Sequence, residues 1–365
     1  MTNPVISGPA TVTLKEEERS SRTERPQAFY RPDGRVMPNG DIVSGQLSTP
    51  PCQTPPAQPG AKRVQGPVLF AGLALEQFGH VLINSLGRLW ALQHLPPETR
   101  LLFIPKRSEE PEKYRHTASV LRWLGFSGEF LLARTDTTFE ELYTCPDIFG
   151  ERYGGQGLPG FYTWLDGRLP VAQDIDSDLK LYVTRSGLGH NVGRYACEDH
   201  LEHQLRRQGY RIVAPETLGL AEQTHLFRSA GKLIFAEGSA LHLYALMNRP
   251  EQNCAVIKRR ESLPPLISSQ LIDRTGRGPH IVDAIRDVFW PPVRSDHLSV
   301  SVLDFDKLGA DLENVGLIDR SLGWDRPDPS VQQASICAGL ADGQTMLNAD
   351  QRRDFLREIR ARRSA

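Results

Sequence analysis

Two arginines bracket a glycine-rich loop near the middle of the chain, an arrangement suited to holding a phosphorylated ligand. The loop reads Ser186-Gly-Leu-Gly-His-Asn-Val-Gly193, with Arg185 before it and Arg194 after it. Arginine presents a planar fork of donors that matches phosphate oxygens, and backbone N–H groups ahead of a helix can add to it. The glycine pattern is neither a Walker loop nor a dinucleotide fingerprint. A second candidate follows the apolar run Lys232-Leu-Ile-Phe-Ala236 and consists of Glu237, Gly238 and Ser239, with His242 one turn on. Gly238 would let backbone approach a ligand closely, and Ser239 could cap a helix or donate to phosphate. Glu237 could accept hydrogen bonds from sugar hydroxyls, or act as a base if burial raised its pKa. A third set, His80, Asn84 and Arg88, recurs at helical spacing, and an imidazole that titrates near neutrality can take a proton from an acceptor hydroxyl.

Each candidate has an ordinary alternative. Arg185 and Arg194 could be surface arginines paired with Glu198 and Asp199. Glu237 could be a buried carboxylate satisfied by nearby N–H groups, and His242 a core histidine. His80 could cap its helix and leave Arg88 solvated.

The elements that must position these residues come in two alternating series. In the first, Pro67-Val-Leu-Phe-Ala71 reads as a buried strand at which regular structure begins. Residues 76–94 follow as one helix with Leu82, Leu86, Leu89, Trp90 and Gln93 on a face. Strand 101–105, helix 114–124 and strand 129–133 complete it. Residues 144–178, rich in glycine and proline, suit a passage between domains. The second series runs strand 181–185, helix 194–205, strand 211–214, helix 216–230, strand 232–236, helix 240–247, and strands 254–258 and 280–282. Strands alternating with helices imply right-handed βαβ units and parallel sheets. The expected fold is therefore α/β, with two Rossmann-like domains facing each other across a cleft. Arg185 would then sit at the carboxyl edge of a sheet, where open α/β folds bind ligands.

The ends of the chain differ from this body. Ten of the 27 prolines fall in the first 60 residues, which argues against long helices or ladders there. Phe29, Tyr30 and Ile42 are placed to dock it in part. At the other end Asn348 can cap a helix reaching about Arg363, carrying Arg352, Arg353, Arg357, Arg360, Arg362 and Arg363. It reads either as a solvated terminal helix or as a patch for an anionic membrane surface or a polyanionic product. The expected division is 1–65, a Pro-rich, partly ordered segment; 66–175, an acceptor-side domain; 176–290, a nucleotide-sugar domain; and 291–365, an extension ending in the basic helix.

Composition limits the function classes. A formal net charge of −1 provides no field to attract nucleic acid. No apolar run is long enough to span a bilayer, and the first residues lack the regions of a secretory signal. The five cysteines, at 52, 145, 197, 254 and 337, are scattered without metal-ligand spacing. A reducing cytoplasm is the expected setting, with contact at the inner face of the membrane only through the basic helix.

Four segments together resemble glycosyltransferase family 61. Phe78-Gly-His-Val-Leu-Ile-Asn-Ser-Leu-Gly-Arg-Leu-Trp90 is similar to that family's "F-G-H-W-L-x-D-x-L-P-R-L" segment. Tyr182-Val-Thr-Arg185 with Arg194 and Glu198 resembles "Y-x-S-R … R-x-x-x-N-E". Gly209-Tyr-Arg-Ile-Val-Ala-Pro-Glu216, followed by Glu222, Gln223, Phe227 and Ala230, resembles "G-F-x-V-x-x-P-E … E-Q … F-x-x-A". Ala236-Glu-Gly-Ser-Ala-Leu241 stands where the family usually has "x-H-G-A-x-L". The resemblance covers roughly residues 66–260, and the order of the four segments is more specific than any one of them.

The resemblance implies a GT-B-like enzyme, with nucleotide sugar mainly in the C-terminal domain and a glycan or lipid-linked glycan acceptor towards the N-terminal one. It implies an inverting glycosyltransferase acting in surface or capsular polysaccharide synthesis. Arg185 and Arg194 would bind the diphosphate, and Gly238, Ser239 and His242 would lie at the donor. Glu237 and His80 are the candidate bases, and Asn84 and Arg88 lie on the acceptor side. No metal or other cofactor is expected, because arginines can stabilise the leaving diphosphate in place of a divalent ion. Two departures stand out: the family's His is Glu237 here, and an Asp of the first segment is replaced near Asn84. They motivate an alternative, a non-catalytic nucleotide-sugar or glycan-binding subunit of a biosynthetic complex. A third class, a pyruvyl or phosphoryl transferase on a similar scaffold, would bind phosphoenolpyruvate or ATP rather than nucleotide sugars.

Overall fold

The computed structural model describes residues 5–12, 27–42, 61–105, 110–171, 174–261, 263–293 and 297–364. The proline cluster at 48–59 and Cys52 lie outside the described residues. The chain divides into two compact units, Met1–Val171 and Ala172–Ala365.

The first unit contains β1 (Ile6–Val12), β2 (Gln27–Tyr30), β3 (Val36–Ile42), β4 (Lys62–Ala74), α1 (Phe78–Asn84), β5 (Arg100–Pro105), α2 (Arg115–Trp123), β6 (Leu131–Leu132) and β7 (Thr137–Thr144). A two-stranded ribbon, β8 (Phe149–Gly150) and β9 (Gln156–Gly157), and α3 (Phe161–Asp166) follow. Its seven-stranded sheet has the order β3-β2-β1-β7-β4-β5-β6. β7, β4, β5 and β6 run parallel, while β1, β2 and β3 add antiparallel pairs. The sheet is thus mixed, not the wholly parallel one that alternation alone suggests.

Regular structure begins well before Pro67. Phe29 and Tyr30 are buried, and Phe29 packs against Phe70 of β4 and Phe139 of β7, with ring centroids 4.8 and 5.7 Å away. Few prolines fall inside these short strands, so the local excess of proline does not prevent a ladder. The expected helix 76–94 is broken in two. Ser85 turns its hydroxyl onto the Leu73 carbonyl at 2.9 Å and ends α1, and the chain resumes as a 3₁₀ turn at Leu89–His94. A side-chain hydrogen bond to neighbouring backbone competes with helix continuation, which is why periodicity alone overran this point.

The second unit is built around β10 (Asp176–Val183), β11 (Arg194–Tyr195), α4 (Glu198–Arg207), β12 (Arg211–Val213), α5 (Leu220–Ser229), β13 (Ala230–Ala236), α6 (Ala240–Ala245), β14 (Asn253–Ile257), α7 (Pro265–Asp273) and β15 (His280–Val282). β16 (Ile285–Phe289), β17 (Val300–Leu303), α8 (Phe305–Asn314), α9 (Pro329–Cys337) and α10 (Ala349–Ser364) complete it. The five-stranded sheet is wholly parallel in the order β12-β10-β13-β14-β15. Numbered within the sheet this is 2-1-3-4-5, a doubly wound order whose direction reverses between β10 and β13.

Alternate residues of the central strands serve two layers, as a pleated strand requires. Tyr182, Ile234, Ala236, Ala255 and Ile257 pack with Leu201 and Leu205 of α4 and Leu308 and Leu312 of α8. On the other side Phe235 meets Phe227 of α5 and Tyr244 of α6 at 5.4 and 4.9 Å. Burial on both faces explains why these strands read as unbroken apolar runs. Residues 300–318, expected within an extension, instead supply β17 and α8 to this same core. At α10 the cap is reciprocal: Asn348 Oδ1 accepts from Gln351 N, and Gln351 Oε1 accepts from Asn348 N, both at 3.0 Å. Arg352 folds back over the Trp290 ring, 4.8 Å from its centroid, while Arg353, Arg357 and Arg362 pair with acids on their own helix. Among the described residues no helix is long and apolar enough to cross a membrane.

Candidate functional site

The carboxyl ends of β10, β13 and β14 bring together Arg185, Glu237, Gly238, Arg259 and Arg260. This is the edge at which a doubly wound sheet leaves a crevice, at the point where its strand order reverses. Arg185 leaves β10 and lies across Gly238, where a Cβ would overlap its Nη1 atom. Its Nη2 donates to the Gly193 carbonyl at 3.1 Å, and its Nε is buried without a partner among the described residues. Gly193 leaves similar room on the other side, since a Cβ there would overlap Arg259 Nη1. The glycines at 193 and 238 thus permit two guanidinium groups to approach the same edge.

The backbone of Arg185 is fixed from α4. Its N–H donates to Glu198 Oε1 at 2.8 Å, an oxygen that also accepts from Tyr182 Oη at 2.9 Å. The Thr184 hydroxyl stands 2.9 Å from Glu198 Oε1 and 2.7 Å from Glu202 Oε1, with one proton for two carboxylates. Burial pushes the Glu198 carboxyl above its ordinary value, opposed by these hydrogen bonds. The alternative in which Glu198 pairs with the guanidinium of Arg185 is not what forms; the carboxylate holds the main chain instead.

Glu237 has no exposed side-chain surface, and both its oxygens are engaged. Oε2 accepts from the Arg259 backbone N–H at 2.8 Å, and Oε1 accepts from Arg260 Nε at 2.7 Å and Nη2 at 2.5 Å. Its own N–H donates to the Tyr195 hydroxyl, which in turn donates to the Ile257 carbonyl at 2.6 Å. Glu237 thus stands as a buried anchor between strand ends, with both oxygens engaged by the chain itself.

Arg194 is not brought to Arg185. It lies on β11, not at a helix start, and its guanidinium is spent on the end of α9. Nη1 donates to the Ser335 carbonyl at 2.8 Å, and Nη2 to the Ile336 and Ala338 carbonyls at 3.3 and 2.8 Å. A cation at a helix C-terminus satisfies carbonyls that have no partner within the helix. His242 is also turned away, with Nδ1 2.7 Å from Gln270 Oε1 of α7. Ser239 is exposed and makes no side-chain cap.

In the first unit His80 is exposed on α1. Arg88 is not solvated: it is 6% exposed, bonds Asp147 Oδ2 at 3.1 Å and lies over the Phe70 ring. Asn84 and Arg88 line a cavity of about 20 Å³, together with Phe70, Asp147 and Arg152. That is room for about one water and not for a sugar. A cavity of about 1300 Å³ opens instead at the amino ends of β4, β5 and β7, beside Lys62, Arg100, Phe126 and Thr137. None of the residues singled out from sequence lines it.

Arg259 and Arg260 were missed because nothing local marks them. They follow β14, and only the pairing of β14 with β13 carries them to Glu237. The sequence also contains Asp-x-Asp triplets, at 174–178 and 304–306. The first lies at the start of β10, away from Arg185. In the second, Asp304 caps α8 and Asp306 pairs with Arg326. Among the described residues no three His, Cys, Asp or Glu side chains are grouped to hold a metal ion.

A doubly wound parallel sheet with an arginine at its reversal point is an α/β arrangement whose crevice suits a ligand. Residues 78–256, which begin at the Phe78 segment and include Arg185 and Glu237, match the family model Glycosyltransferase 61. That match spans just under half of the chain. No curated protein matches the chain.

Proposed function

We propose that this protein is an inverting, metal-independent glycosyltransferase that moves a sugar from a nucleotide sugar to a glycan acceptor in the making of a surface polysaccharide. The observation that supports it is Arg185, held by its main chain to Glu198 and laid across Gly238 where the parallel sheet reverses. In a single displacement the anomeric carbon becomes oxocarbenium-like while negative charge grows on the departing diphosphate. Only interactions that strengthen with that charge lower the barrier, and a fixed guanidinium in a partly buried edge is one. A basic α10 fits peripheral contact with an anionic membrane that carries the acceptor.

The test is calorimetry with nucleoside diphosphates and nucleotide sugars, with and without EDTA, followed by NMR of the anomeric centre in any product. The reading expects binding that survives EDTA, falls at least tenfold in Arg185→Ala, and gives an inverted linkage. Binding that needs a divalent ion, or a product of retained configuration, would replace it.

A further inference from the structure

Arg259 forms no ion pair among the described residues. The residue is 5% exposed and its Nε is buried without a partner. Nη1 has only the Ser299 hydroxyl, at 3.3 Å. Its main chain, by contrast, is fixed at both ends: the N–H donates to Glu237 Oε2 at 2.8 Å, and the carbonyl accepts from Ser301 Oγ at 2.5 Å. The Glu237 carboxylate is taken up by Arg260 in a 2.5 Å ion pair. Burial, and after it the neighbouring charge of Arg185, press Arg259 towards losing its proton, against a smaller opposing pull from Tyr195 and the Glu237 carboxylate. Two like charges converge on one edge, each with a buried Nε that has no hydrogen-bond partner among the described residues.

Such an arrangement opposes folding unless something else offsets it. A buried cation without a counter-ion destabilises a protein, and an apolar side chain of similar volume is the more stable choice. What satisfies two forked donors at once is an oxyanion of tetrahedral shape.

We propose that Arg259 and Arg185 together hold a phosphoryl group of the donor, and that Glu237 is the positioning residue that fixes Arg259 and takes up Arg260. This rests on the donor site proposed above and adds to it a ligand residue from beyond the matched segment 78–256. It also gives Glu237 a task in place of proton abstraction. The carboxylate stands where the related segment has histidine, and it sets the spacing of the strand ends.

The experiment compares wild type, Arg185→Ala, Arg259→Met, Glu237→Ala and Glu237→Gln by thermal melting and calorimetry. The probes are inorganic pyrophosphate, UDP and a chloride control of equal ionic strength. Arg259→Met should melt a few degrees above wild type without ligand, about 3 °C, and lose the upward shift that pyrophosphate and UDP give wild type. Its affinity for both should fall about 30-fold. Glu237→Gln, which keeps an oxygen for the Arg259 N–H, should restore most of the affinity lost in Glu237→Ala. A lower melting point for Arg259→Met in the absence of ligand would make the residue structural and overturn the proposal. So would an undiminished shift in that variant while Arg185→Ala loses it, which would leave the donor site standing with Arg185 alone. If neither probe shifts wild type, the donor-site reading itself falls. Should Glu237→Ala fail to fold, the Arg259→Met and Arg185→Ala arms decide the matter.

Discussion

Arg88 of the first unit and Arg259 of the second are buried to nearly the same degree, 6% and 5% exposed, yet they live under opposite electrostatic conditions. Arg88 has Asp147 at 3.1 Å and the face of Phe70 4.9 Å from its guanidinium carbon. Arg259 has a serine hydroxyl and another arginine beside it, and the Glu237 carboxylate is paired with Arg260 instead. Burial alone therefore does not fix how an arginine is satisfied; what decides is whether the protein itself supplies the counter-charge. Arg194 falls between them, neutral in its surroundings but bonded to three carbonyls.

The largest effect should come from breaking the Arg88–Asp147 ion pair. Asp147→Ala leaves Arg88 charged and buried alone, and a loss of about 3–5 kcal/mol is expected in denaturant unfolding of the protein. The double change Arg88→Met with Asp147→Leu should recover most of it. If Asp147→Ala unfolds like wild type, the contrast with Arg259 collapses. Next comes Arg194→Ala, which strips the end of α9 of its donors and should remove roughly 2–3 kcal/mol. Unaltered phosphate or diphosphate binding in that variant, once folded, would separate Arg194 from Arg185 for good.

A smaller and pH-dependent effect belongs to Glu198. Burial holds its carboxyl above the ordinary value of 4.5, so the folded chain binds that proton more tightly than the unfolded chain does. At neutral pH the ionised carboxylate therefore subtracts stability. The deficit closes as pH falls through the folded pKa towards 4.5. Tyr182, Arg185 and Glu202 face the group. Glu198→Gln should gain on wild type at neutral pH, with the gap narrowing on acidification; a gap that widens instead would show that the hydrogen bonds outweigh burial. The smallest change in stability, within about 1 kcal/mol, should follow Gly238→Ala. Its Cβ meets the movable tip of Arg185 and not backbone, so the guanidinium swings aside. Melting should hardly change while pyrophosphate affinity drops, and retained affinity would show that Arg185 works from another position.

The parts of this molecule that local pattern governs were legible in sequence. Strands β4, β5, β10, β12, β13 and β14 announced themselves because both faces of a parallel strand are covered, and Arg185 and Gly238 lay at strand ends where a ligand edge forms. Interactions between distant residues were not legible. Arg194 reads as a helix start until its partners 141–144 residues away are known, because carbonyl acceptors leave no mark on composition. Arg259 looks like any basic residue after a strand. Only the register of β14 against β13 makes it a neighbour of Glu237. The early strands were obscured for a related reason, since β1 pairs with β7 and nothing near it in sequence predicts so remote a partner.

That pairing has a consequence for the order of events during synthesis. β7 hydrogen-bonds β1 on one side and β4 on the other, and Ile6 stands opposite Thr144. At a translation rate of about 10 residues per second, β1 waits more than roughly ten seconds after it is made before its partner emerges. Until then β1 and β4 each present an open strand edge, a template that other chains can pair with. The species most exposed to aggregation is therefore the growing chain that has not yet delivered Thr144, not the finished fold.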